Sequence, residues 1–222
     1  MPSYPPIKDS RLPGLLRSAR EMPWAHRSVE FPHWYLQQWH FHRDGYLSRA
    51  AARWYDLLID RLYNAGQAKV VHRTLAREAQ RRGTRRIVDL GCGPGNLVES
   101  LGASLPEAEI TGIDLSPFML ERANGRVASL PNVRFEHRDL ISGGSPVRDV
   151  DMAVAVHLFG HLPRDGAGAV LQAAAGALGE GGVVLSVDHA WHRPPPLSSA
   201  LVLWKRRPVL CGLLLLREYR LR

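Results

Sequence analysis

The sequence predicts an α/β fold with a doubly wound, mostly parallel sheet and a helical N-terminal extension. Short apolar segments of strand length alternate with stretches of helical periodicity through the middle of the chain. A glycine-rich turn follows the first of these segments and opens a helical stretch. The chain has 222 residues, of which 45% are hydrophobic and 23% charged, and this suits one packed globular domain with elaborations.

The N-terminal part precedes this alternation. Residues 1–45 are rich in Pro, Arg, His and Trp without clean periodicity, and they predict an aromatic and basic extension to a domain of residues 46–222. A helical pattern then begins, with apolar side chains along one face at Leu47, Ala51, Trp54, Leu58 and Leu62. The Asn-Ala-Gly run at 64–66 predicts its end, and a second helix is predicted from about Gln67 to Arg82.

The elements of the sheet follow in order. The predicted strands are Arg86–Leu90, Glu109–Ile113, Val133–His137, Val150–Val156 and Gly182–Val187. The predicted helices between them are Asn96–Leu105, Pro117–Ala128 and Asp165–Leu178. From Ala190 onward the pattern is ambiguous, because a Pro-Pro-Pro stop precedes a basic, leucine-rich tail that fits either strands or an amphipathic helix.

The bulk charge and the cysteines set limits on partners and compartment. The formal net charge of +8 favours anionic partners, nucleic acid or a membrane surface, without choosing between them. Cys92 and Cys211 are too few for a disulfide framework or a zinc site, so a reducing cytoplasm is expected. The longest apolar run, Val209 to Leu216, is too short to span a bilayer.

The glycine cluster in "RRIVDLGCGPGNLVES" carries the functional argument. A strand, a glycine turn and a helix together aim backbone N–H groups at a ligand. A dinucleotide site needs a third small residue where Asn96 stands, and the Asp89 carboxylate before the turn would repel a pyrophosphate. An acid there suits a ligand with a positive charge and an amine, such as S-adenosylmethionine. A nicotinamide oxidoreductase is therefore disfavoured.

Four motifs in order resemble those of the class I S-adenosylmethionine-dependent methyltransferases. They are "VDLGCGPGN", "ITGIDLSPFMLERA", "VRFEHRDL" and "GALGEGGVVLSVD", and they cover roughly residues 85–188. The resemblance implies the Rossmann-like methyltransferase fold, with S-adenosylmethionine as cofactor. It implies that Asp114 binds the ribose hydroxyls and that Asp139 accepts a hydrogen bond from the adenine amine. The full set of implied cofactor contacts is Asp89, Gly91, Cys92, Gly93, Gly95, Asn96, Asp114, Leu115, Met119, Asp139, Leu140 and Val156.

The acceptor site is expected beyond the ends of the fourth and fifth strands. His157 and His189 are the candidate bases or acceptor-orienting groups, and His161 is a less well placed one. Tyr55, on the helix before the first motif, is a third candidate, because a Tyr-Asp pair there is similar to the entry segment of quinone and phospholipid methyltransferases. No metal site is predicted, since the His157 and His161 spacing lacks a third ligand.

These features predict an enzyme that methylates a small or lipid-like acceptor at nitrogen, oxygen or carbon. The alternatives are an RNA methyltransferase that uses the arginine-rich surface, and a non-catalytic cofactor-binding or scaffold protein. The segment "FPHWYLQQWHFH" fits a lid over an apolar acceptor, an interfacial membrane anchor, a dimer surface or a cover for the sheet. Peripheral membrane contact and a homodimer are therefore expected partners, and at least one end of the chain is expected to serve acceptor access or membrane attachment rather than the core.

Overall fold

The structure, a computed structural model, describes residues 4–58, 65–145, 147–197 and 200–222. The chain folds around a seven-stranded sheet with the order β3-β2-β1-β4-β5-β7-β6. The strands are β1 Arg86–Leu90, β2 Glu109–Asp114, β3 Val133–His137, β4 Val150–Val156, β5 Leu178–His189, β6 Leu201–Val209 and β7 Leu214–Leu221. Strands β1 to β5 run parallel to one another, and β7 pairs antiparallel with both β5 and β6. The predicted doubly wound, mostly parallel α/β fold is confirmed.

Helices cover both faces of this sheet. They are α1 Leu12–Arg20, α2 Arg49–Trp54, α3 Ala65–Arg82, α4 Asn96–Ser104, α5 Pro117–Arg126, α6 Leu140–Gly143 and α7 Arg164–Ala177. Successive strand residues enter opposite cores: Ile87 packs with α3 and α4, whereas Val88 packs with α7. This alternation is the period of a strand buried on both faces.

Local sequence signals explain where the helices of the cofactor edge begin. The Ser116 hydroxyl accepts a hydrogen bond from the Met119 N–H at 3.3 Å, and Pro117 occupies the first turn of α5. The Asp139 carboxylate likewise accepts from the Ile141 N–H at 2.9 Å and starts α6. Such caps satisfy N–H groups that lack partners inside the helix. Both helices therefore begin directly beyond the ends of β2 and β3.

The helices before the sheet differ from their predictions. Helix α2 is only six residues long, begins after its Ser48 cap, and passes into a π-helical turn at 55–58. Trp54, predicted on the buried face, is 42% exposed at the end of α2, and its Nε1 donates to the His40 carbonyl at 3.2 Å. Leu62 lies outside the described residues. The predicted break is wrong at Gly66, which is part of α3.

The two ends of the chain are both folded onto the sheet. The tail after Ala190 forms strands β6 and β7, so the structure settles the ambiguity in favour of strands. In the N-terminal segment, Ile7 and Tyr35 are buried in a third core with Leu115 and Phe118, at the start of α5. Part of this segment therefore belongs to the core, and the expectation that at least one end of the chain serves acceptor access or membrane attachment stays a prediction. The boundary at residues 45 and 46 stays a prediction.

Candidate functional site

A cavity lies beyond the carboxyl ends of β1, β2 and β4. In an open α/β sheet this is the edge at which ligands bind. Its lining is Trp34, Tyr35, Trp39, Tyr46, Tyr55, Gly91, Gly93, Asp114, Leu115, Met119, Arg138, Asp139, Leu140, Ile141, Val156, His157, Leu158, His161 and Leu162. One wall is the strand-end edge with the glycine turn, and the other is aromatic and comes from the chain before β1.

The glycine turn needs its glycines for two different reasons. Gly91, Gly93 and Gly95 all have positive φ, at 73°, 53° and 83°, a conformation that strains other residues. At Gly95 a Cβ would lie 2.8 Å from the Cβ of Ala123, so this glycine permits close packing of α5. At Gly93 the nearest atom to a Cβ would be Tyr55 Cε1, at 3.9 Å. Gly93 thus leaves the turn open toward the cavity, and Gly95 allows the turn to pack closely against α5.

Asp114 ends β2 and holds the turn. Its Oδ2 accepts a hydrogen bond from the Gly93 N–H at 2.9 Å, and its Oδ1 accepts from the Ser116 N–H at 2.7 Å. Burial raises the pKa of Asp114 to about 6, and the N–H groups of Ser116, Gly93 and Leu115 oppose the rise because they favour the ionised form. Each carboxylate oxygen has further acceptor capacity, so the group can also receive hydroxyls from a ligand in the cavity.

Asp89 lies in the strand behind the turn and is 2% exposed. Burial, and then the neighbouring Asp114, raises the pKa of Asp89 to about 8, so the carboxyl is mainly neutral at pH 7. It does not line the cavity, and neither do Cys92, Gly95 or Asn96. The interpretation of Asp89 as an ionised partner for a ligand amine is therefore not supported by its position, because a carboxyl withdrawn from water gives up its charge.

The other predicted cofactor residues do meet at the cavity. Its lining includes Gly91, Gly93, Asp114, Leu115, Met119, Asp139, Leu140 and Val156. The Asp139 carboxylate also binds its own helix, because Oδ2 accepts from the Ser142 hydroxyl at 2.8 Å. Arg138, which sequence reasoning missed, lines the cavity beside it and has a buried Nε without a hydrogen-bond partner among the described residues. Its only sequence signal is its place next to Asp139.

His157 follows β4 and lines the cavity. Its φ of 53° is unusual for a residue with a side chain, and its Nδ1 is buried without a hydrogen-bond partner in the described structure. Burial, followed by the nearby His189, His161 and His192, lowers the pKa of His157 to about 3. The imidazole is therefore neutral at pH 7 and presents a lone pair.

His161 also lines the cavity, and its hydrogen bonds define its tautomer. Its Nδ1 lies 2.7 Å from the His157 carbonyl oxygen, which can only accept, so Nδ1 carries the proton. Burial lowers the pKa of His161, so its Nε2 is bare and accepts from His40 Nε2 at 3.3 Å. His189, by contrast, lies outside the lining; its ring centroid is 4.9 Å from that of His157 and it stacks on Trp191.

The aromatic wall comes from the chain before the sheet. Trp34, Tyr35 and Trp39 line it together with Tyr46 and the predicted Tyr55. The Trp39 and Tyr46 rings stack with an interplanar angle of 8° and centroids 5.8 Å apart. The sequence allows several roles for the segment that contains Trp34, Tyr35 and Trp39. The structure places these three side chains over the cavity.

Metal clusters and membrane-spanning helices are both absent from the described ranges. No group of three or more His, Cys, Asp or Glu side chains within them is arranged to hold a metal ion. No helix within them combines the length and apolar character that a membrane crossing requires.

Comparison with known proteins agrees with this geometry. Residues 87–182 match the family model described as a methyltransferase domain. The chain is similar to trans-aconitate 2-methyltransferase of Methylobacterium nodulans, with 48% identity over 85 residues, which are 36% of this chain and 32% of the relative. The chain thus spans about a third of the length of this curated relative.

Solved structures share the fold. A TehB-like SAM-dependent methyltransferase from Corynebacterium glutamicum aligns with a TM-score of 0.62 and 21% identity, over 79% of this chain and 100% of that one. DhpI in complex with SAH aligns with a TM-score of 0.53 and 26% identity, over 78% and 76% of the two chains. The seven-stranded sheet and its flanking helices therefore have the fold of these solved methyltransferases. The methyltransferase domain model matches less than half of the chain, residues 87–182.

Proposed function

We propose that the protein binds S-adenosylmethionine and transfers its methyl group to a small, largely apolar acceptor. One observation carries the proposal: a single cavity joins the glycine turn, Asp114 and Asp139 on the strand-end wall to the aromatic rings of the other wall, with a neutral His157 at the end of β4. The first wall suits a nucleoside, and the second suits a flat or apolar molecule with one polar group.

The cofactor half rests on donors and acceptors at the strand ends. Asp114 receives the ribose hydroxyls on its remaining lone pairs, and the open face at Gly93 lets the ligand approach the turn. Leu115 and Leu140 supply apolar contacts for the adenine ring. Charge-assisted hydrogen bonds to a carboxylate are each worth about 1.5–3 kcal/mol. Asp114 is therefore the residue on which cofactor affinity depends most.

Methyl transfer requires mainly that the protein align the acceptor atom with the methyl group. The sulfonium of the bound cofactor supplies an activated methyl group for in-line displacement. The chain's contribution is to hold the acceptor atom close and to exclude water, which is what the rings of Trp39, Tyr46 and Tyr55 provide. His157 accepts a hydrogen bond from the acceptor's N–H or O–H. With a pKa near 3 it is a weak base, so we propose that it orients the acceptor.

The charges of the residues that line the cavity also limit the class of acceptor. Among the described lining residues Arg138 is the one fixed cation, and His157 and His161 are neutral at pH 7. A tricarboxylate such as trans-aconitate would need several cations to replace its hydration. We therefore propose a neutral or singly charged acceptor, although the relative with the 85-residue match is named for trans-aconitate.

Methyl transfer from a radiolabelled cofactor tests this function directly. The acceptor panel contains phenols, quinols, amines, phospholipids, monocarboxylates, trans-aconitate and RNA. We expect label in a neutral or singly charged small molecule or lipid, and none in RNA. Label in trans-aconitate at the highest rate would contradict the acceptor class, and cofactor binding without transfer to any class would favour the non-catalytic alternative.

An exposed apolar patch supports the expected membrane contact. The patch consists of Phe41, Trp54 and Leu57, which are 84%, 42% and 52% exposed. They are neighbours, because Trp54 Nε1 donates to the carbonyl of the residue before Phe41 at 3.2 Å, and Leu57 lies one helical turn further. Arg43 and Arg53 beside the patch are exposed cations. We propose that it contacts an anionic bilayer next to the cavity's aromatic wall.

Vesicle sedimentation tests the patch. We expect binding to phosphatidylglycerol vesicles that salt weakens, little binding to phosphatidylcholine, and loss of binding in Phe41→Ser. Leu213→Ser is the control, because Leu213 is 50% exposed on the turn between β6 and β7. Equal loss in both variants would contradict the assignment. The homodimer stays a prediction, which sedimentation of the purified protein would test.

A further inference from the structure

One guanidinium group joins three elements behind the cavity. Arg126, at the end of α5, has a side chain that is 15% exposed. Its Nε donates to the Pro94 carbonyl at 3.0 Å, and one Nη donates to Asp56 Oδ1 at 2.8 Å. The other Nη lies 3.7 Å from the Glu99 carboxylate on α4. The planar, forked geometry of arginine makes such simultaneous contacts possible, and lysine cannot reproduce them.

Two of these partners, Pro94 and Asp56, lie in segments that face each other at one corner of the cavity. Pro94 stands in the glycine turn between Gly93 and Gly95. Asp56 directly follows Tyr55 in the π-helical turn, and its side chain is fully buried. Tyr55 Cε1 is the atom that a Cβ on Gly93 would meet first. Arg126 therefore connects the backbone of the turn to the segment that places Tyr55 opposite it.

We propose that Arg126 is a positioning residue for the cofactor site, which sets the glycine turn at a fixed distance from Tyr55. This inference rests on the proposed binding of S-adenosylmethionine. Arg126 does not line the cavity, so its effect on the ligand passes through Pro94 and Asp56. Loosening the turn also disturbs the Gly93 N–H, which Asp114 holds at 2.9 Å.

Arg122 provides a matched control. It lies one turn earlier on α5 and also binds the Asp56 carboxylate, through Oδ2. Its Nε is buried without a hydrogen-bond partner in the described part of the chain, and none of its described hydrogen bonds reaches the glycine turn. Replacing Arg122 therefore disturbs the ion pair with Asp56 and leaves the Pro94 contact intact.

The test compares Arg126→Lys, Arg126→Gln and Arg122→Lys with the unmodified protein. S-adenosylhomocysteine affinity is measured by calorimetry, stability by urea unfolding, and KM separately for cofactor and acceptor. We expect both Arg126 variants to bind S-adenosylhomocysteine about tenfold more weakly, which corresponds to about 1.4 kcal/mol. KM should rise more for the cofactor than for the acceptor. Arg122→Lys should bind within about twofold of the unmodified protein, because lysine keeps a cation beside Asp56 and the Pro94 contact of Arg126 is intact.

Equal weakening in the Arg122 and Arg126 variants would overturn the proposal, because the ion pair with Asp56 alone would then explain it. Unchanged affinity in a folded Arg126 variant would also overturn it, and so would unfolding of both Arg126 variants, which would assign the residue to the core. If the unmodified protein fails to bind S-adenosylhomocysteine, the proposed function itself fails.

Discussion

Replacing Asp114 with alanine should remove most of the affinity for S-adenosylmethionine and its demethylated product. Two hydrogen bonds from ribose hydroxyls to one carboxylate are lost together. Because neighbouring interactions do not add fully, we expect a cost of about 2–4 kcal/mol, or about a 30- to 900-fold weaker Kd. The same change leaves the N–H groups of Gly93 and Ser116 without their acceptor, so some loss of stability is also expected.

Calorimetry with S-adenosylhomocysteine, together with urea unfolding, separates these two effects. Glu107→Ala is the control, because Glu107 is an exposed acid before the other end of β2. Because the pKa of Asp114 is raised to about 6, the charge that binds the ribose is lost as the pH falls through 6. The affinity of the unmodified protein should therefore rise with pH and level off above about 7. A folded Asp114→Ala variant that binds normally would refute the assignment of the ribose site.

Three further outcomes follow from the same site. Gly93→Val should abolish cofactor binding and leave the fold largely intact. Gly95→Ala should lower the melting temperature, because its Cβ would lie 3.0 Å from the Ala123 backbone. The reverse pattern would contradict the roles of the two glycines. Because the folded pKa of Asp89 is near 8 and its unfolded pKa is near 3.8, the folded state holds the extra proton between these values, so stability falls by about 1.4 kcal/mol per pH unit there. Asp89→Asn should remove that slope in urea titrations from about pH 6.5 to 8, because below this range Asp114 and Asp188, with raised pKa values of about 6, add slopes of the same sign. An unchanged slope between about pH 6.5 and 8 would assign it to other groups. His157→Gln should lower kcat by about 100-fold while S-adenosylhomocysteine affinity stays the same, and a normal kcat would exclude an orienting role.

The strands and the cofactor edge were predictable because their signals are local. Val133–His137 and Val150–Val156 match the predicted bounds, since each is a β-favouring run with clear breaks on both sides. Gly93 and Asp114 were identifiable because a turn and a strand end impose their residue types at a fixed spacing.

The remaining features depend on contacts between distant segments. The tail fitted either strands or a helix because strand β7 is buried on both faces, so its leucine run has no alternation to read. Trp34, Tyr35 and Trp39 line the cavity only because residues 4–45 fold back onto the start of α5. The sequence shows that residue Asp89 is an acid before the glycine turn. Its neutral state depends on burial under the packed turn, which the sequence does not show.

Titration of the unmodified protein with S-adenosylhomocysteine and with NAD, side by side in a calorimeter, tests the central claim most directly. We predict one site per chain for S-adenosylhomocysteine with a micromolar Kd, and no measurable heat with NAD. Saturable binding of NAD, or no binding of S-adenosylhomocysteine by the folded protein, would contradict the assignment of the glycine turn, Asp114 and the aromatic wall to a methyltransferase site.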